Sequence, residues 1–261
     1  MAVCVSASAQ SPLIKTLSDE LERNFTILKQ KGDPPPYFMG YEVTDTEVDV
    51  VAASQGSLDG QNHSRQRLLD VTIRAGSPKF DNYRRVGADR PRFTSATSIA
   101  LDDSPVSIRQ SVWLATDHVY RAVSNRLIRL KADDKLRAEA SDTSDDFSTE
   151  KPETFFSPAP KLKFDPADWA KRLRKLSAEF TKYPGALNSS VAVEAQRVMK
   201  TLVTTEGTRV EHGRLFARLV ITARGKASDG MDLATLETFE ADDPAKLPKD
   251  SQILADRKSV V

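Results

Sequence analysis

The stretch that most constrains the fold runs from Ser190 to Ile221, where hydropathy alternates with a period of two on both sides of a glycine. On the way in, Val191, Val193 and Ala195 alternate with Ala192, Glu194 and Gln196; on the way out, Leu215, Ala217, Leu219 and Ile221 recur at every second position. Successive side chains of a strand point to opposite faces, so one face of such a ribbon is built to be buried. Thr205-Glu206-Gly207-Thr208 supplies the turn, with Gly207 able to take a positive φ. The phase slips near Arg197, after which Val198, Lys200, Leu202 and Thr204 carry the run, and the slip points to a bulge or a strand break.

The same pattern occurs earlier. Val48, Val50 and Ala52 alternate with Glu47, Asp49 and Val51, Ser54-Gln55-Gly56-Ser57 turns the chain, and Leu69, Val71, Ile73 and Ala75 then alternate with Asp70, Thr72 and Arg74. Aligning Gly56 with Gly207 brings Val71–Gly76 near Val220–Gly225. Both stretches are read as long hairpins of one sheet. Duplication and the shared design of all amphipathic hairpins account equally well for their likeness.

Three amphipathic helices accompany them. Ser11 caps the first, with Pro12 at its first position and Leu13, Leu17, Leu21, Phe25 and Leu28 on one stripe. Gly32-Asp33-Pro34-Pro35-Pro36 ends it and leads into a strand from Tyr37 to Val43, with Tyr37, Met39, Tyr41 and Val43 on one side. Gly76 to Ser104 is rich in turn chemistry (Ser77-Pro78, Arg90-Pro91, Asp102-Asp103) and reads as a long surface loop. The second helix starts near Ser104-Pro105, buries Ile108, Val112, Ala115, Val119, Ala122 and Leu130 with Trp113 and Tyr120 alongside, and frays near Ala138. Residues Ser141 to Pro160, rich in Ser, Asp, Glu, Thr and Pro, read as a mobile connection. Asp165 and Asp168 open the third helix, whose apolar face is Trp169, Leu173, Leu176 and Phe180 and which stops at Pro184-Gly185. Ser228–Asp232 forms a turn, and Leu247–Ser251 begins a helix that the chain hardly continues before Val260-Val261.

The fold class is therefore α+β: an antiparallel sheet of two long β-hairpins with amphipathic helices packed on it. A length of 261 residues allows one large domain or two small ones. Charge is balanced at +1, which leaves no basic footprint for nucleic acid, and the densest basic run, Lys171-Arg172-Leu173-Arg174-Lys175, reads as the wet face of a helix. The single cysteine, Cys4, excludes an intramolecular disulfide and any cysteine-rich zinc site. Met1 to Ala9 is a short apolar piece ending in Ala7-Ser8-Ala9, which reads as the tail of an export signal or as a disordered end. The first alternative places the protein in the periplasm or outside the cell, the second in the cytoplasm. No stretch approaches the ~20 apolar residues of a membrane span.

Little in the chain announces chemistry. His63, His118 and His212 are scattered, and none has a second histidine or a glutamate at helical metal spacing. Asp117 and His118 are adjacent, so on a helix they point about 100° apart. The acidic pairs Asp102-Asp103, Asp133-Asp134, Asp145-Asp146 and Asp242-Asp243 fall at element ends or in loops, where caps and solvated charges belong. There is no GxSxG elbow and no glycine-rich phosphate loop before a helix. No residue is assigned a catalytic, metal or cofactor role, and no substrate-binding residue can be named.

Four stretches carry a family resemblance. They are Leu17–Arg23 running to Pro36–Tyr41, Arg67–Gly76 with Phe80-Asp81-Asn82, Trp113–Tyr120, and Thr205-Glu206-Gly207-Thr208 followed by Asp229-Gly230-Met231. In order and spacing they resemble the N-terminal domain of the TldD/PmbA family of proposed zinc metallopeptidases, also called modulator-of-gyrase proteins, and especially its exported bacterial branch. The resemblance implies that residues 11–245 are that N-terminal domain, with a linker at about 141–160, and that 246–261 begin the connection to a catalytic domain. It implies zinc on a HExxxH helix and a later cysteine in that second domain, since neither motif occurs here. It also implies a peptide or unfolded-protein substrate and a homo- or hetero-oligomer. The rival expectation is a non-enzymatic assembly module that uses its sheet edges.

Overall fold

The computed structural model describes residues 11–85, 95–134 and 144–256. Cys4 and the Ala7-Ser8-Ala9 pattern, the Arg90-Pro91 turn, the helix end near Ala138, the start of the 141–160 connection and Val260-Val261 lie outside them. Ser11 caps α1 (Pro12–Lys31) by accepting the Ile14 N–H on its Oγ at 3.2 Å. β1 (Pro36–Ser54) and β2 (Ser57–Ser77) form the first hairpin, and the short β3 (Phe80–Asp81) and β4 (Thr97–Ser98) both pair antiparallel with β2. After α2 (Pro105–Asp134) come β5 (Thr154–Phe156) and α3 (Pro166–Ala178), whose N-cap Asp165 accepts from the N–H groups of Ala167 and Asp168. β6 (Asn188–Thr204) and β7 (Arg209–Lys226) form the second hairpin, followed by β8 (Asp232–Ala241) and α4 (Asp250–Asp256).

The eight strands make one mostly antiparallel sheet in the order β3-β2-β1-β6-β7-β5, with β4 also on β2 and β8 also on β7. The expected α+β class and the two long hairpins are thus present. The first hairpin closes on a two-residue turn with Gln55 at φ 44° and Gly56 at φ 84°. Positive φ at both central residues defines the type I′ turn, whose twist matches that of the flanking strands.

The chain divides into two compact units; four of the five boundaries fall inside β1, β2, β6 and β7, and the fifth falls between β5 and α3. In unit 1 (1–45, 66–158, 199–212), α1 and α2 pack together, and the core holds Leu17, Leu21, Met39, Tyr41, Leu69, Ile73, Ile108, Val112 and Leu127. Its buried Arg67 donates to Asp45 at 2.8 Å, to Asp103, and to the carbonyls of Ala100 and Asp102, so the cation is matched on every side. In unit 2 (46–65, 159–198, 213–261), Leu173 and Leu176 of α3 pack with Val51, Val191, Val193, Ala217 and Leu219, and Leu247 and Ile253 complete the cluster.

Several expectations need correction. On β1 the buried face is Asp49, Val51 and Ala53, one register away from Val48, Val50 and Ala52, which are half-covered. β6 is one continuous strand with a local slip: after Gln196 and Arg197, both half-buried, Val198 is buried, and burial then returns to the original phase at Thr201 and Val203, with Lys200 exposed, Leu202 half-buried and Thr204 buried. Arg197, at the slip, is half-buried and reaches Glu47 at 2.8 Å. On α2, Ala122 is exposed and the stripe continues through Val123 and Leu127, because four-residue steps from Val119 keep to the buried side.

The Gly76–Ser104 loop is also more than surface. Asp81, Asn82 and Ile99 are buried, and the Asn82 side chain accepts from Ala75 N–H and donates to the Ile73 carbonyl, standing in for strand backbone. Within 144–160, Phe147 packs on Tyr37 and Phe38, and β5 runs parallel to Arg209–Glu211 of β7. β8, which the sequence pattern does not announce, pairs antiparallel with β7 from Ala217 to Lys226.

Candidate functional site

The arms flanking Gly56 and Gly207 are the natural candidates for an exposed strand edge, and sheet order separates them. β1 lies between β2 and β6, and β6 lies between β1 and β7. The start of β7 is paired by β5, with Arg209 N–H donating to the Glu153 carbonyl and Ser157 N–H to that of Glu211. β2 differs. Its neighbours β3 and β4 meet it only at residues 68–69 and 76–77, and every residue from Ser57 to Gln66 is exposed. Among the described residues, this ten-residue arm is the one beside a hairpin glycine whose outer side has no partner strand.

Composition explains why the arm tolerates this. Ser57-Leu58-Asp59-Gly60-Gln61-Asn62-His63-Ser64-Arg65-Gln66 has one large apolar residue and several charged or amide side chains, the usual protection of a strand edge. Its base at Gly56 is held by α3, where the Ser177 hydroxyl accepts the Gly56 N–H at 3.0 Å and Arg174 donates to the Gly56 carbonyl. β8 is a second edge strand in unit 2, with Leu233 and Leu236 exposed on it.

His118 and His212 are exposed. Asp103 pairs with Arg67, Asp146 accepts from the Asp81 N–H and from Arg84, and Asp243 caps the short turn at Pro244–Lys246 through the Ala245 N–H. The side chains of Asp133 and Asp134 lie outside the described ones. The basic run on α3 is only partly a wet face: Leu173 is buried, and Arg172 pairs with Asp250 at 2.6 Å while lying over the Trp169 ring.

One polar cluster in unit 1 is centred on the fully buried Asp81. Asp81 accepts from Arg74 at 2.5 Å, from the Tyr37 hydroxyl at 2.7 Å and from the Tyr83 N–H, and Arg74 lies between the rings of Tyr83 and Phe147. Burial, reinforced by the hydrogen bond to Asp81, pushes the Tyr37 hydroxyl well above its ordinary range. Burial pushes Tyr41 up to about 12, partly opposed by its hydrogen bonds to Thr116 and Asn24. Both therefore stay neutral and act as hydrogen-bonding residues, Tyr41 in the core and Tyr37 at its half-buried margin.

A third histidine has company that the sequence did not reveal. Glu47, Asp49 and His63 place donor atoms within 4.8 Å of one another, with His63 Nδ1 2.8 Å from Asp49 Oδ1. They do not follow helical spacing because they belong to two strands. Folding the chain at Gln55-Gly56 brings the stretch around Asp49 opposite Asn62-His63, and that was the available signal.

No protein-family profile matches the sequence, and no curated protein matches it. Solved structures do match in fold. A proposed modulator of DNA gyrase from Bacteroides thetaiotaomicron aligns with a TM-score of 0.55 at 8% identity, over 92% of this chain and 48% of its own. Another from Thermotoga maritima gives 0.48 at 9% identity over 90% and 45%, and TldE from Thermococcus kodakarensis 0.47 at 11% over 89% and 46%. The chain thus spans about half the length of these proteins. At such low identity the likeness speaks to fold: nearly the whole chain has the fold of one half of the Bacteroides modulator-of-gyrase structure.

Proposed function

We propose that this chain is the N-terminal, non-catalytic half of a zinc metallopeptidase acting on peptides or unfolded segments, and that it offers backbone to an extended substrate along β2. The observation that carries this reading is the open outer side of Ser57–Gln66 beside a fold shared with one half of a longer protein. A strand edge recognises peptide by main-chain hydrogen bonds, which suits a substrate defined by being unfolded rather than by its sequence. HExxxH does not occur in the 261 residues, so hydrolysis belongs to a zinc-holding second half. The charge of +1 argues against a direct role on nucleic acid despite the gyrase name.

The test joins or mixes this chain with a zinc-holding half and follows cleavage of a fluorogenic peptide. Proline is placed singly at alternate positions of Ser57–Gln66, where it removes one outward N–H without emptying a core. The expected result is a cleavage loss of about tenfold at the outward positions, with zinc content and melting temperature held. Unchanged cleavage across the scan would leave the domain as scaffold. Peptide bound but never cleaved would instead favour an assembly module using the same edge.

A further inference from the structure

We propose that Glu47, Asp49 and His63 form an exchangeable site for one divalent transition cation of the zinc type, tying the exposed arm of β2 to β1. The donor set is an imidazole nitrogen and two carboxylates within 4.8 Å of one another. A tetrahedral ion with bonds of about 2.0–2.2 Å needs donors about 3.4 Å apart. The 2.8 Å contact between His63 Nδ1 and Asp49 Oδ1 therefore has to open by about 0.6 Å. The His63 ring, 57% exposed, has room to make that movement.

Placement on strands supplies the preorganisation. Glu47 and Asp49 are two residues apart on β1 and share a face, while His63 comes from β2. Beside Asp49 and His63 lies a recess of about 180 Å³, also lined by Gln61, Asn62 and Phe164, which accommodates the water ligands that a three-residue site leaves over. An imidazole selects zinc-like ions over magnesium and calcium, which prefer oxygen donors throughout. Arg197 holds Glu47 Oε2 at 2.8 Å, so a positive charge already stands at one ligand. That charge opposes the incoming cation and makes the site weak and exchangeable, not a closed structural centre.

This goes beyond the peptide reading and is measured without peptide, so either can fail alone. Zinc is titrated calorimetrically into the chelator-treated 261-residue chain. One zinc per chain is expected. His63→Ala and Asp49→Asn should each weaken binding about tenfold or more, while His118→Ala and His212→Ala should change it less than about twofold. Arg197→Gln should tighten binding several-fold, the signature of a Coulombic competitor, and magnesium in about hundredfold excess should not displace zinc. No binding, equal losses in the His118 or His212 variants, displacement by magnesium, or an Arg197→Gln variant that binds no tighter would each overturn the assignment.

Discussion

At the scale of residues, unit 1 contains a polar cluster beside its apolar core. Asp81 satisfies Arg74, the Tyr37 hydroxyl and a backbone N–H at once, and Arg74 is 16% exposed. Removing the acid strands a nearly buried cation, so Asp81→Ala should destabilise by roughly 3–5 kcal/mol in denaturant melts. A loss under about 1 kcal/mol would show that the cluster relaxes into water. Tyr41 gives a prediction in pH. Its folded pKa of about 12 lies above the ordinary value near 10, so its contribution is whole below pH ~10. Between about 10 and 12 the unfolded chain releases a proton that the folded chain keeps, and stability falls as pH rises. Tyr41→Phe should therefore start less stable, having lost hydrogen bonds to Thr116 and Asn24, yet decline less steeply by about 1.4 kcal/mol per pH unit across that window. Tyr37 and Tyr83 are shifted in the same direction and keep a residual slope in both proteins. Parallel curves would refute the assignment to Tyr41.

At the scale of elements, each hairpin follows a helix that packs within the same unit as its base, and the caps that start those helices were legible: Ser11 for α1 and Asp165 for α3. Leu173 on α3 is fully buried against the unit 2 sheet. Leu173→Ala should cost about 2–5 kcal/mol, read from the shift of the denaturant midpoint. A cost below about 1 kcal/mol would mean the helix does not cover that core. Both hairpins and three of the helices could be read because periodicity and turn chemistry are local. What was not readable depended on partners far along the chain. The phase of β1 was missed because both its faces are at least half-covered, so hydropathy hardly distinguishes Val50 from Val51. β5 is short, and its pairing with β7 is non-local. β8 mixes exposed Leu233 and Leu236 with half-buried Glu237 and so lacks a clean alternation. The Glu47–Asp49–His63 group needed the hairpin register, which hydropathy alone leaves open.

At the scale of the whole molecule, the sheet order decides which part of two similar hairpins can meet a partner strand. Near Gly207, β6 lies between β1 and β7 and β5 pairs with Arg209–Glu211 of β7, whereas the arm of β2 beyond Gly56 keeps its outer side open among the described residues. The sequence singled out both glycines and could not separate them, because edge and interior strands differ in their neighbours rather than in their residues. If an extended peptide adds to β2, its affinity comes from alternate backbone N–H and carbonyl groups, with side chains projecting to either face of an arm that offers few apolar pockets. A series of extended peptides separates these contributions. Methylating every second backbone nitrogen in the register that faces β2 should abolish protection of a full-length enzyme's substrate strand, with binding or cleavage falling about tenfold or more. Methylation in the opposite register, or alanine at single side chains, should change it by less than about threefold. Equal sensitivity of the two methylation registers would show that no strand is added. A side-chain change that outweighs both would move recognition off the backbone and off this edge.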